Sequence, residues 1–143
     1  MTPERTADRL VVPAHIFFYG TLMRGFALRE RSRVDHLIRF VGPGEIRGAL
    51  FDLGPYPGAV EGEGTVRGEV YDILAPGPLL ARVDAIEHYM PGAPTESEYR
   101  RCAVRARLDD GQVRDVWVYF YNRPLGTARA LAGGDYRHHI AAP

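Results

Sequence analysis

Two places in the sequence combine residue types that do chemistry. The first is Tyr19-Gly20-Thr21-Leu22, which follows the apolar run Ile16-Phe17-Phe18 and precedes Arg24 and Gly25. A buried strand that stops in a glycine turn leaves backbone N–H groups without sheet partners. Such groups, beside the fixed charge of Arg24, can hold an anion. An ordinary strand end is the plainer reading of the same residues. The second place is Glu87. Residues 79–89 have helical spacing, and at roughly 100° per residue Glu87 falls about 20° from Leu80, inside the stripe of Leu79, Val83 and Ile86, with Asp84 at its edge. A carboxyl on a core-facing stripe has its pKa raised by desolvation and becomes a candidate acid/base. Paired with Arg100 or Arg101 it would instead be a structural ion pair. Helix geometry alone leaves both open.

Positioning these groups falls to a strand-rich chain of 143 residues, enough for one domain with a real core. Residues 1–13 lack periodicity and read as a mobile lead-in to a domain over residues 14–143. The first strand covers residues 15–19. Residues 26–40 are rich in Arg and only partly in helical register, which predicts a short exposed helix. Gly42-Pro43-Gly44 reads as a turn before a strand at 45–53. Gly54-Pro55-Tyr56-Pro57-Gly58 then reads as a stiff loop in which Tyr56 walls a pocket or caps the core. The strand at 65–73 puts Val66, Gly68 and Val70 on one face and Arg67, Glu69, Tyr71 and Ile73 on the other, with Gly68 marking a bulge or a close approach. After the helix, Asp109-Asp110-Gly111 joins strands at 99–108 and 113–121 as a hairpin. The second of these is apolar on both faces and is expected to be central.

Composition removes several chemistries. With no lysine in the chain, Schiff-base and lysine-nucleophile mechanisms are excluded. Ser32 and Ser97 lie in polar stretches, not in a nucleophile elbow. Cys102 is the only cysteine, so no disulfide or cysteine-based zinc site forms within the chain, and its alternation with Ala103 and Val104 reads as a buried, inert thiol. Asp84 and Glu87, three apart on a helix, lie closer than a glycosidase pair requires. His138-His139 has no further ligand pattern around it, so no metal is expected. The 18 acidic and 18 basic residues cancel, giving no reason to expect a nucleic-acid or membrane partner. No signal peptide or spanning helix is legible, and a cytoplasmic location is the expectation.

The motifs then fall into a recognisable order: Tyr19-Gly20-Thr21-Leu22, Tyr56-Pro57-Gly58, Gly68-Glu69-Val70-Tyr71, Val83-Asp84-Ala85-Ile86-Glu87, Tyr99-Arg100-Arg101 and Tyr119-Phe120-Tyr121. In this order the chain resembles the gamma-glutamylcyclotransferase-like, or AIG2-like, superfamily from about His15 to Arg137. The resemblance implies an α+β fold, a small mixed β-barrel with flanking helices, and a cavity at the Tyr-Gly-Thr-Leu turn. It also implies conversion of a γ-glutamyl amide into 5-oxoproline and a free amine, with Glu87 as acid/base and no cofactor. Tyr19, Gly20, Thr21, Leu22, Tyr56 and Tyr121 are the substrate-binding residues expected from it. The protein is expected as a monomer or homodimer acting on a small γ-glutamyl substrate. A non-catalytic module binding a small carboxylate in the same cavity is the alternative. The chain departs from the family pattern at His88, where a glycine is common.

Overall fold

The apolar run that opens the domain forms β1 (His15–Phe18) in the computed structural model, which describes residues 12–141. The expected lead-in over residues 1–13 therefore lies almost wholly outside the described residues. Phe18, the least covered of Ile16, Phe17 and Phe18, is only 3% exposed, so β1 is buried on both faces, as a run without alternation requires. It pairs antiparallel with β3 (Pro57–Ile73) and parallel with β5 (Val113–Tyr121). β5 pairs in turn with β4 (Tyr99–Leu108), β4 with β2 (Ile38–Asp52), and β2 returns to β3. The five strands close into a mixed barrel, with a short β6 (Arg129–Ala130) added to β2. Helices α1 (Ala27–Ser32), α2 (Pro76–Ile86) and α3 (Tyr136–Ala141) flank it. β5, between β1 and β4, has the central place its two apolar faces predict.

Val66, Val70, Val116 and Val118 are fully buried, and Ile46 and Leu50 join them in the core. Gly68 sits among them because a side chain there would run into the Phe18 carbonyl and the Phe17 ring, the close approach its position predicts. Asp109-Asp110-Gly111 forms the expected hairpin, with Gly111 at φ +94°.

Several local expectations are corrected. The helix read over residues 26–40 is only α1, which stops at Arg33 in a left-handed conformation (φ 53°). A single 3-10 turn at Asp35–Leu37 follows, and β2 begins at Ile38. Gly42-Pro43-Gly44 is no turn but part of β2: a bulge between Phe40 and Gly42 accommodates it, and Gly44 is bare because a Cβ would stand 2.6 Å from the Arg107 carbonyl on β4. The stiff loop is shorter than read. Leu53 N–H closes on the Tyr56 carbonyl (3.0 Å), and β3 begins at Pro57. Glu69 and Tyr71, on the face opposite Val66, Gly68 and Val70, are buried as well, under Arg29 of α1 and Arg137 of α3. Cys102 is half-buried rather than buried, and burial pushes its thiol pKa up against the pull of Arg100.

Candidate active site

Beyond Phe18 the chain turns instead of pairing. Met23 N–H donates to the Gly20 carbonyl (3.0 Å), and Gly25 at φ +92° redirects the chain toward α1. The turn is tied from outside. Arg24 N–H donates to Glu69 Oε1 (3.0 Å), Arg29 Nη1 donates to the Leu22 carbonyl (3.1 Å), and Arg137 Nη2 donates to the Arg24 carbonyl (2.8 Å). Those side chains are themselves linked: Tyr71 Oη donates to Glu69 Oε1 (2.7 Å), Arg29 Nη1 to Tyr71 Oη (2.8 Å), and Arg137 Nη2 to Glu69 Oε2 (3.1 Å). Held this way, the N–H groups of Gly20, Thr21 and Leu22 find no acceptor among the described residues. Arg24 does not supply the charge expected beside them. Its guanidinium lies over the Phe40 ring (3.8 Å to the centroid) and 3.8 Å from Glu69.

Glu87 lies one residue past α2, not within it. Tyr89 N–H donates to the Asp84 carbonyl (2.9 Å) and His88 N–H to the Ala85 carbonyl (3.3 Å), the paired bonds that end a helix when the residue after the cap is left-handed. That residue is His88, at φ +53°. A glycine would sit there without strain, which accounts for the family pattern. Histidine costs about 1 kcal/mol in that conformation, and its Nδ1, 2.9 Å from Glu98 Oε1, anchors it.

The ion pair considered for Glu87 belongs to Asp84. Arg101 Nε and Nη2 donate to the two Asp84 oxygens (3.0 and 3.2 Å), and Tyr119 Oη donates to Oδ1 (2.5 Å). Arg100 instead reaches Cys102 Sγ (3.1 Å). Asp84 is within the helix and buried against the barrel. Glu87, where the chain leaves helical phase, turns its carboxyl into a cavity. Asp84→Asn is expected to leave the Arg101 charge buried and unpaired, lowering the unfolding free energy by about 3 kcal/mol. Denaturant midpoints of the variant and the parent protein check this.

The cavity holds about 620 Å³ and is lined by Tyr19, Gly20, Thr21 and Leu22, by Tyr56, Glu87 and Glu98, and by residues of α1 and α3. Tyr121, expected in it, is absent from its lining. Its ring packs edge-on against Tyr99 (5.3 Å between centroids) and on the bare Gly58. Tyr99 and Tyr119 take that place. Tyr119 was legible as the residue two before Tyr121 on the same strand face; Tyr99 and Glu98 had no signal beyond the Tyr-Arg-Arg motif.

Tyr19, Tyr56, Tyr99 and Tyr119 have one phenol proton each, and each is spent. Tyr19 donates to the Tyr119 carbonyl (2.6 Å), Tyr99 to the Pro57 carbonyl (2.9 Å), Tyr119 to Asp84, and Tyr56 to Glu98 Oε2 (2.5 Å). Burial holds Tyr19, Tyr99 and Tyr119 well above the ordinary tyrosine pKa, so they stay neutral walls. The hydrogen bond to Glu98, followed by burial, pushes Tyr56 up to about 12. Glu98 is desolvated, yet the bonds from Tyr56 and His88 hold it below its usual range. Glu87 has no such partner among the described residues. Burial, then the Glu98 charge, push it up to about 8.

Gly20 faces Pro57 so closely that a Cβ would stand 2.7 Å from the proline Cγ. Pro57 cannot withdraw freely, because its carbonyl is held by Tyr99. Gly20→Ala is therefore expected to cost about 1–3 kcal/mol through overpacking and to displace the turn. A lower melting temperature together with a raised KM would register both effects.

A closed mixed barrel whose cavity is lined both by an unpartnered, elevated carboxyl and by a turn of free N–H groups is the class of protein that the fold and site define. The family described as Gamma-glutamyl cyclotransferase, AIG2-like matches residues 16–138, and the chain belongs to it. Among relatives, the gamma-glutamylcyclotransferase family protein YtfP of Escherichia coli (strain K12) is 36% identical over 87 residues, 61% of this chain and 66% of that protein. The match to YtfP thus spans just under two thirds of that relative's length. A Vibrio cholerae protein provisionally named a gamma-glutamylcyclotransferase is 32% identical over 126 residues, 87% of this chain and 96% of its own. The solution structure of YtfP from Escherichia coli superposes with a TM-score of 0.60 at 31% identity, covering 88% of this chain and 98% of that one. The crystal structure of a mouse AIG2-like protein gives 0.67 at 24% identity over 88% and 89% of the two chains, a likeness of fold. No helix among the described residues is long and apolar enough to cross a membrane.

Proposed function

We propose that this protein converts a γ-glutamyl amide into 5-oxoproline and a free amine. The observation that carries the reading is Glu87: a carboxyl raised to about 8, with no partner among the described residues, lining the same cavity as the free N–H groups of Gly20, Thr21 and Leu22. The substrate's α-amine is the nucleophile. Its nitrogen attacks the γ-carbonyl carbon, the five-membered ring closes, and the amide C–N bond breaks. Glu87 takes the proton the α-nitrogen loses and delivers it to the departing amine, so no water is consumed and the carboxyl returns to its starting state.

The turn holds the glutamyl end, its N–H groups facing the α-carboxylate or the oxygen that gains charge as the ring closes. Tyr19, Tyr56, Tyr99 and Tyr119, with their protons committed, shape the cavity rather than bind charge. Folding the substrate so that amine and carbonyl meet supplies several kcal/mol through proximity. No enzymic nucleophile is needed, in keeping with a chain that has no lysine and no serine elbow. Tyr121, outside the lining, has no part in this scheme.

The test is direct. Purified protein is incubated with a panel of γ-glutamyl dipeptides and γ-glutamyl amines while 5-oxoproline is followed. Release from at least one substrate is expected. Ligand-dependent rises in melting temperature with no 5-oxoproline from any of them would leave a binding module in place of an enzyme.

A further inference from the structure

The chemistry at the glutamyl end leaves open what the amine is, and the part of the cavity lined by α1 and α3 bears on it. Resting on the cyclotransferase reading, we infer that the substrate is a γ-glutamyl dipeptide of an apolar α-amino acid, whose side chain sits against α1 and α3 and whose carboxylate pairs with Arg31.

Three observations converge. First, about 620 Å³ is room for a whole small molecule, of which the glutamyl group fills only a part. Second, a set of apolar side chains shares the lining. Phe26, Leu28, Ile86, Tyr136 and Ile140 make up that set, and Phe26 stacks on Tyr136 at 5.9 Å, which joins the start of α1 to α3. Leu28 and Phe26 are half-buried and Ile140 is exposed, so this apolar surface still faces the cavity's open volume. Third, the charges at the rim are unequal in availability. Glu98 is engaged by Tyr56 and His88, and Glu87 is the acid/base. Arg31 lines the cavity, is exposed, and pairs with no acidic side chain among the described residues. A leaving amine carrying a second ammonium would meet Arg31 with no free carboxylate to offset it. A carboxylate would find its partner there.

Discrimination follows from the same side chains. Each extra methylene in an apolar pocket changes kcat/KM by roughly 10-fold or more, so a leucine-sized side chain should stand well clear of glycine.

The experiment uses γ-glutamyl-leucine, γ-glutamyl-glycine, the decarboxylated analogue γ-glutamyl-isoamylamine, and γ-glutamyl-1,4-diaminobutane, with 5-oxoproline release as readout. The leucine dipeptide is expected to exceed the glycine one, and the diamine, by about 10-fold or more in kcat/KM. Arg31→Met, at an exposed position, is expected to keep the parent melting temperature. It should raise KM for γ-glutamyl-leucine by about 10-fold, the order of a lost charge-assisted hydrogen bond, while leaving the isoamyl amide unchanged. Equal rates for leucine and glycine, or an Arg31→Met effect that falls alike on both the dipeptide and its decarboxylated analogue, would overturn the inference while the reaction stands. If none of the four releases 5-oxoproline, the reaction itself fails and the inference falls with it.

Discussion

Glu87→Gln is expected to cut 5-oxoproline release by a factor of about 10²–10⁴, the usual worth of a general acid/base, with the fold intact. The substitution is close to isosteric and, among the described residues, removes no hydrogen bond, because the parent carboxyl makes none. What it removes is the ability to take a proton from the α-nitrogen and return it to the leaving amine. KM should move little, since in the proposed scheme the turn of Gly20, Thr21 and Leu22, rather than Glu87, holds the glutamyl end. The pH profile gives an independent reading. Glu87 must be ionised to accept the first proton, so kcat/KM should climb as pH rises toward about 8 and level off beyond it. A variant with nearly full rate, or a profile without that limb, would remove Glu87 from the mechanism.

The same carboxyl should make the protein less stable in base. Its pKa is raised from 4.5 to about 8 by folding. Between those values the unfolded chain has released this proton while the folded protein still binds it, so stability falls as pH rises through that window. Below about 4.5 both states are protonated and the term vanishes; above about 8 the full cost is present. Allowing for water that reaches the carboxyl through the cavity, the cost is on the order of 2–4 kcal/mol. Glutamine carries no charge at any of these pH values. Parent and Glu87→Gln proteins should therefore melt together at pH 4, while at pH 9 the variant should melt roughly 5–10 °C higher. Equal melting temperatures at pH 9 would mean a well-solvated or paired Glu87. Loss of activity coupled to gain of stability is what a strained acid/base predicts.

His88 and Glu98 show how the site is kept in this state. Glu98 anchors His88, which occupies a backbone position better suited to glycine, and thereby fixes the turn that follows α2. Its charge, held by Tyr56 and His88, also adds to the desolvation that keeps Glu87 protonated.

Much of this molecule follows from local sequence. The buried strand at Ile16-Phe17-Phe18, the central strand at 113–121 and the Asp109-Asp110-Gly111 hairpin are each written in side-chain periodicity and turn chemistry, which act over a few residues. So is the turn at Tyr19-Gly20-Thr21-Leu22, and the order of motifs carries the family. What misled were glycines and charges whose roles are set across the barrel. Gly42-Pro43-Gly44 looked like a turn because the need for bare backbone there comes from Arg107 on another strand. The burial of Glu69 could not be read locally, because its partners, Tyr71, Arg24 and Arg137, converge from three separate segments.

Glu87 itself divides between the two levels. Helical phase singled out a carboxyl at this end of the helix, but it treated Asp84 as an edge residue and Glu87 as the one inside the stripe. Tertiary structure assigned Arg101 to Asp84, ended the helix before Glu87, and left its carboxyl facing a cavity. Pairing depends on which arginine the neighbouring strand presents, and the choice of Tyr99 and Tyr119 over Tyr121 depends on where the cavity meets that strand. Local sequence singled out a carboxyl and a glycine turn with free N–H groups; only barrel closure, which sets distances between residues far apart in the chain, decided that they share one cavity.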